Sequence, residues 1–354
     1  RKLAYANKQA FVITVWGIGF LLLSVGYSMT NPLRHIRTSC QWVANNAQHV
    51  TIQNGLISSF AKTIIHQSRA NIVEWDASGW HFCSDVSVCG PLTAQYIFVL
   101  DALNFCFWPC DGFEYDNMAI ALKDALVKDD SAFSTLKLKS LTEETFLSWF
   151  DNAIPPPNIY ERLLRLQELG CVLEQSYDGL AINMIKEAKG SAAELVKLIL
   201  MHLPGFRDTS IYNGRLIHFY KRAQILVADV WGAYKKPQDP NHPCYFHDIH
   251  ELTMFADYRI PQILRQIGIL EYTPELSVAI DSLQEIPFGS KQEVEIRACT
   301  VVAVERLHKE LLRTSSEWVD RPVLELDWLL WQWGEERCRD VDMPPHHRTL
   351  TIYY

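Results

Sequence analysis

The 354-residue chain lacks the short signatures of the common nucleotide, metal and hydrolase folds. It holds no G-x-x-x-x-G-K-S/T loop, no G-x-G-x-x-G turn, no H-E-x-x-H helix and no G-x-S-x-G elbow. P-loop ATP hydrolysis, nicotinamide chemistry, zinc proteolysis and serine-hydrolase chemistry therefore have no direct support. Basic residues are also short: 33 Lys and Arg stand against 41 Asp and Glu, a net charge of −8. A chain that gripped a nucleic-acid backbone would carry the opposite balance, because phosphate contacts dominate such binding. A small phosphorylated ligand stays open. No solenoid repeat and no low-complexity tract is present. The nine cysteines are odd in number and none forms a C-x-x-C pair, which argues against a zinc ribbon or a thioredoxin-type site. They read as the reduced cysteines of a cytosolic or nuclear protein.

What is present can build a large core, since 48% of residues are hydrophobic and 12% aromatic. Residues 9–33 carry no charge and include FVITVWGIGFLLLSVGYS, long enough to approach a membrane span behind Lys2 and Lys8. Residues 1–30 are accordingly set apart as an apolar extension, with anchoring and a misread gene as the two accounts of it. From residue 31 to 354 no composition break forces a second domain. IPPPN at 154–158 and KKPQDPNHPC at 235–244 read as loops. SAAELVKLILMHLPGF reads as a helix with Leu195, Leu198, Ile199 and Met201–Leu203 on one side, ending at Pro-Gly. LTEETFLSWF opens with a near capping box at Thr142. Extended pieces are expected at HVTIQ (49–53) and SIYNGRLIHF (210–219), the second folded back at Asn213-Gly214. The expected fold is mainly α with a small β element.

Four stretches place polar groups where apolar ones belong. In QYIFVLDALNFCFWP (95–109), Asp101, Asn104, Phe105 and Trp108 share one face if the stretch is helical. Buried polar groups there need partners or a ligand, and a satisfied core network is the competing reading. In HFYKRAQILVADVWGAY (218–234), Ala223, Leu226, Val227, Val230 and Trp231 form a core stripe. Lys221 and Asp229 lie about 12 Å apart along the axis at 1.5 Å per residue, the span of a small nucleotide, against the alternative of a solvated face. VLELDWLLWQWGEER (323–337) sets Asp327 among Trp328, Trp331 and Trp333, which suits a flat cationic heterocycle or plain core. ELTMFADYRIPQIL (251–264) reads as two helical pieces, the first carrying Leu252, Phe255 and Ala256, the second starting near Pro261 and stopping at Gly268. Asp257 at the joint is a helix cap or a functional carboxylate.

LDALNFCFWP, FYKRAQILVADVW, TMFADYRIPQIL, GSKQEVEIRACTV and HHRTLTIYY, in this order, closely resemble the queuosine salvage protein family from about Asn31 to Tyr354. The wording around WDASGWHFCSD resembles the fungal branch. The resemblance implies a fold similar to helix-hairpin-helix DNA glycosylases and hydrolysis of the N-glycosidic bond of queuosine 5′-monophosphate. Products would be queuine, a 7-deazaguanine base reused in tRNA modification, and ribose 5-phosphate. No cofactor, no metal, no nucleic-acid partner and a soluble, cytoplasmic monomer are implied as well. Asp257 would stabilise the ribosyl cation and orient water. Phe255, His81, Asp229, Asp327 and Trp331 would hold the base. Lys221, Arg222, Arg259, His347 and Arg348 would hold phosphate and ribose, with Asp101, Asn104 and Tyr258 behind them. The acid that protonates the leaving base is not assigned. Two rivals stand beside this reading: a nucleic-acid-binding or base-excision protein on a glycosylase fold, and a scaffold whose aromatic pocket is only core.

Overall fold

The computed structural model describes residues 31–68, 74–88, 90–150, 154–338 and 340–354. The expected extension over residues 1–30 lies outside them. Among the described residues there are fourteen α-helices and two two-stranded sheets. The order is α1 (Pro32–Asn46), β1 (Val50–Ile52), α2 (Asn54–Ser68), α3 (Pro91–Leu103), α4 (Tyr115–Lys128), α5 (Thr135–Lys139), α6 (Glu143–Ser148), α7 (Ile159–Ser176), α8 (Ala181–Glu187) and α9 (Ala192–His202). Then come β2 (Thr209–Tyr212), β3 (Arg215–His218), α10 (Lys221–Ala233), α11 (Arg259–Gln266), β4 (Leu270–Tyr272), α12 (Pro274–Asp281), α13 (Lys291–Thr314) and α14 (Val323–Arg337). None of these helices is long and apolar enough to cross a membrane.

Two helical stretches are buried on every side and carry the rest. In α3 every residue from Thr93 to Leu103 is buried, and in α13 every residue from Glu293 to Val304. A helix apolar all round, or with its polar groups paired, belongs inside a core. Helix α13 packs on α1, α2, α11, α14 and both strands of the β1–β4 sheet, while α3 packs on α4, α7, α8 and α10. Glu295 of α13 accepts the backbone N–H groups of Gln48, His49 and Val50 at 2.9, 2.6 and 3.2 Å, tying that sheet to the central helix. Its strands run antiparallel with Val50 opposite Tyr272. The β2–β3 hairpin turns at Asn213 (φ 47°) and Gly214 (φ 77°), the left-handed pair that Asn-Gly supplies at least cost.

The expected strands, both proline loops, the helix at 192–202 and the Thr142 cap are all present. Three local expectations fail. Met201 is exposed rather than part of the buried side of α9. The first helical piece of ELTMFADYRIPQIL is a single 3₁₀ turn at Ile249–Glu251, after which Leu252–Asp257 runs as irregular chain into α11. The second piece is correct, with Pro261 in its first turn and Gly268 (φ 78°) just past its end.

The third failure concerns LNFCFWP. Helix α3 stops at Leu103, and Cys106 has φ 50°, so Asn104, Phe105 and Trp108 do not continue a face with Asp101. Two buried arginines replace the missing helical turn. Arg222 donates to the carbonyls of Asp101 (3.0 Å), Ala102 (2.8 Å) and Gly205. Arg162 donates to those of Leu103, Phe105 (2.7 Å), Cys106 (3.2 Å) and Pro157 (2.7 Å). The last carbonyls of a helix have no partner inside it, so remote donors can end it as firmly as a glycine. The Phe105 ring lies within 4.5 Å of the Arg162 guanidinium carbon and 5.1 Å of that of Arg222.

Candidate active site

The end of α3, the start of α10, the 252–257 segment and the middle of α14 converge. Asp208 Oδ2 accepts the Lys221 N–H at 3.1 Å and so caps α10. It also pairs with Arg297 of α13, Nη2 to Oδ2 at 2.6 Å and Nη1 to Oδ1 at 3.0 Å. The same guanidinium donates from Nε to the Ala256 carbonyl at 3.0 Å and lies between the rings of Phe219 and Tyr354. One planar cation thus fixes both the chain beside Asp257 and the helix that begins at Lys221.

Lys221, Asp101, Asp229, Asp257 and Asp327 are all buried, which rules out the solvated-face reading of Lys221 and Asp229. Asp257 Oδ1 accepts the Ile260 N–H at 3.0 Å, so the cap reading is true as far as one oxygen goes. Burial pushes its carboxyl up to about 6, partly offset by the Lys221 ammonium. Burial lowers Lys221 to about 8, with Asp257 and Asp101 pulling the other way. Its ammonium makes one long hydrogen bond, 3.4 Å to the Asn104 carbonyl. Asn104 in turn donates to Asp101 Oδ1 at 3.2 Å, while Asp101 Oδ2 has no hydrogen-bond partner among the described residues. Asp327 accepts the Phe255 N–H at 2.7 Å. Burial raises Asp101, Asp229 and Asp327 above the usual carboxylate range, Asp229 further by repulsion from Asp101 and Asp327 by repulsion from Asp257. Four carboxyls around one ammonium cannot all be ionised in a dry site, so the cluster holds shared protons at neutral pH.

An aromatic wall stands beside this cluster. His81 joins Asp76 through Nδ1 at 2.7 Å and the Tyr115 hydroxyl through Nε2 at 2.9 Å. Trp75 stacks on His81 with ring centroids 4.3 Å apart and hydrogen-bonds Asp229. A Cβ on Gly232 would come within 2.7 Å of the Trp75 ring, so α10 needs glycine there for the indole to lie against it. Tyr115 and Trp331 meet edge to face at 5.7 Å and line a cavity of about 250 Å³ with Trp80, Glu114, Glu335 and Glu336. Asp257 is not in that wall. Glu335 is, and it holds Arg259 at 2.7 Å. Of the α14 tryptophans only Trp331 faces this cavity; Trp328 stacks on Trp231, and Trp333 packs on Phe60.

The expected phosphate ligands separate. Lys221 lies in the cluster. Arg222 is committed to carbonyls at the end of α3, and Arg259 to Glu335 and to Gln262 at 3.0 Å. Burial lowers His347 to about 3, leaving a neutral ring 3.3 Å from the Tyr354 hydroxyl. Arg348 rests over Trp108 at 5.6 Å, and its Nε has no hydrogen-bond partner among the described residues. Tyr258 packs on His346 at 4.4 Å. Phe255 is buried and holds Asp327 through its backbone. Among the described residues no three His, Cys, Asp or Glu side chains are grouped to hold a metal ion. The sequence reading missed Asp76, Tyr115, Asp208 and Arg297. Only for Arg297 was there a signal, a charged residue just ahead of the apolar run that follows it in GSKQEVEIRACTV.

Residues 87–354 match the family described as queuosine salvage protein. A Dictyostelium discoideum protein named queuosine 5′-phosphate N-glycosylase/hydrolase is 41% identical over 331 residues, 92% of this chain and 100% of its own length. A Mus musculus protein of the same name is 33% identical, covering 90% of this chain and 98% of its own. The Schizosaccharomyces pombe one is 29% identical, covering 91% and 100%. Identity to this fungal protein is thus lower than to that of Dictyostelium, and a fungal placement gains nothing from it. Matched over nearly its whole length to proteins of one kind, the chain belongs to the queuosine salvage protein family.

Proposed function

We propose that the chain hydrolyses the N-glycosidic bond of queuosine 5′-monophosphate, releasing queuine for reuse in tRNA and ribose 5-phosphate. The observation that carries this reading is the buried Asp257 carboxyl, grouped with Asp101, Asp229 and Asp327 around the charge of Lys221 and flanked by an aromatic wall. Cleaving C1′–N builds positive charge on the ribose, as in glycoside hydrolysis. A fixed carboxylate in a water-poor site stabilises that charge and takes a proton from the attacking water. Asp229 and Asp327, with Trp331, present acceptors and a ring face to a base that bears a secondary ammonium. Lys221 and Arg348 are the cations left for the 5′-phosphate, with Asp101 and Asn104 positioning Lys221. The mainly helical frame supports kinship with helix-hairpin-helix glycosylases.

Purified protein should release queuine from queuosine 5′-monophosphate and little base from guanosine 5′-monophosphate, followed by chromatography. A folded sample that releases no base overturns the reading. Two further outcomes are expected. Asp257 must be ionised and Lys221 charged, so kcat/KM should rise about tenfold per pH unit up to about 6 and fall above about 8. A profile flat from pH 5 to 7 would remove the carboxylate from that role. Lys221→Met should raise KM for the nucleotide about 10–100-fold, the scale of one charged hydrogen bond, and change KM for the nucleoside far less. Equal changes for both would place Lys221 away from the phosphate.

A further inference from the structure

Resting on that reading, we infer that Tyr115 is the acid that protonates the departing base, and that His81 and Asp76 reload it. Queuine poses a specific difficulty. Enzymes that cleave ordinary purine nucleosides can weaken the glycosidic bond by protonating N7. In a 7-deazapurine that position is carbon and accepts no such proton. A donor must therefore meet another acceptor on the ring as the electron pair of the C1′–N bond arrives.

The chain Asp76–His81–Tyr115 has the form such a donor needs. Asp76 accepts a hydrogen bond from Nδ1 of His81 at 2.7 Å and another from its backbone N–H at 3.2 Å. With Nδ1–H so engaged, Nε2 faces the Tyr115 oxygen at 2.9 Å. Burial works to raise Asp76, yet its hydrogen bonds and the charge of His81 outweigh this and hold it below the usual range. When both ring nitrogens of His81 carry protons, Nε2–H donates into the hydroxyl and leaves the phenolic proton free to leave toward a substrate. Asp229 and Asp101 act electrostatically on the Tyr115 hydroxyl, which links it to the carboxyl cluster. The same tyrosine lines the 250 Å³ cavity. Burial raises the hydroxyl well above its usual value, and a bare phenolate there would be costly. Resupply from His81 removes that cost.

The step balances as follows. The C1′–N bond breaks with its pair passing to the base, and the Tyr115 proton moves onto the base. The Nε2 proton of His81 moves onto the Tyr115 oxygen. Water bonds to C1′ and gives a proton to Asp257. The site ends with Asp257 protonated and His81 neutral, and one proton returns from the first to the second through solvent.

The test compares two substrates on the intact enzyme: queuosine 5′-monophosphate, and a 4-nitrophenyl riboside 5-phosphate whose leaving phenolate needs no proton. Tyr115→Phe should lower kcat on the first by about 10²-fold and on the second by no more than a few-fold. His81→Gln should show the same contrast more weakly, and it keeps the inference testable should Tyr115→Phe fail to fold. Asp257→Asn should lower both. Tyr115→Phe with kcat on the nucleotide within threefold of the parent, or with equal losses on both substrates, overturns the inference. Parent enzyme that cleaves neither substrate would instead overturn the glycosidase reading on which it rests.

Discussion

Asp257→Asn should fold like the parent and hydrolyse queuosine 5′-monophosphate at about one-hundredth of its rate or less, the contribution of one positioned acid–base group. The two roles of this side chain separate cleanly in that substitution. The oxygen that accepts the Ile260 N–H at 3.0 Å is retained, since asparagine caps helices about as well as aspartate. What disappears is the negative charge beside the Lys221 ammonium. The unfolding temperature should therefore not drop, because a buried carboxylate raised to about 6 is itself a burden on the folded state near neutral pH. The sign follows from the shift: between the usual carboxylate value and about 6 the unfolded chain gives up a proton that the folded one keeps, so stability falls as pH rises through that window. Turnover within tenfold of the parent would leave Asp257 as a cap and nothing more.

Arg297→Met should cost about 3–5 kcal/mol of folding stability, the scale for leaving one member of a buried ion pair alone. Arg297 and Asp208 are completely or almost completely enclosed. Without the guanidinium the Asp208 side chain keeps the Lys221 N–H but loses both charged hydrogen bonds, and Glu293 loses a contact at 3.4 Å. The Ala256 carbonyl also loses its donor. Urea unfolding measures the loss. Adding Asp208→Asn to Arg297→Met should recover part of it, because the second change removes the stranded charge. A single variant within about 0.5 kcal/mol of the parent would show that the pair is not what holds these segments together.

These two residues mark the limit of what the sequence discloses. Local signals were sufficient where the cause is local: Asn213-Gly214 turns a hairpin, Pro261 and Gly268 bracket α11, and Thr142 caps α6. The region of the site was legible too, since Asp101, Lys221, Asp229, Asp257 and Asp327 were each picked out as polar intruders in apolar segments, and the structure brings them together. What periodicity could not supply was the effect of remote donors. The end of α3 depends on Arg162 and Arg222, which lie 59 and 121 residues from the carbonyls of Leu103 and Asp101. The His81–Tyr115 contact joins positions 34 apart, on either side of α3, where no local pattern points one to the other. Arg222 and Arg259 look from sequence like phosphate ligands because type and neighbourhood are visible there, whereas prior commitment to a carbonyl or a carboxylate is not.

The position of Arg297 in the chain also orders events during synthesis. Asp208 leaves the ribosome 89 residues ahead of its counter-ion, and strand β1 waits more than two hundred residues for β4. Until α13 has emerged, Asp208 is a carboxylate without its cation, and the segment bearing Asp257 has no anchor for Ala256. The nascent protein can form its local helices early, but closing such long loops must wait for the distant partner. Catalytic competence therefore arrives in one late step, when the last quarter of the polypeptide threads its central helix into a frame already waiting for it.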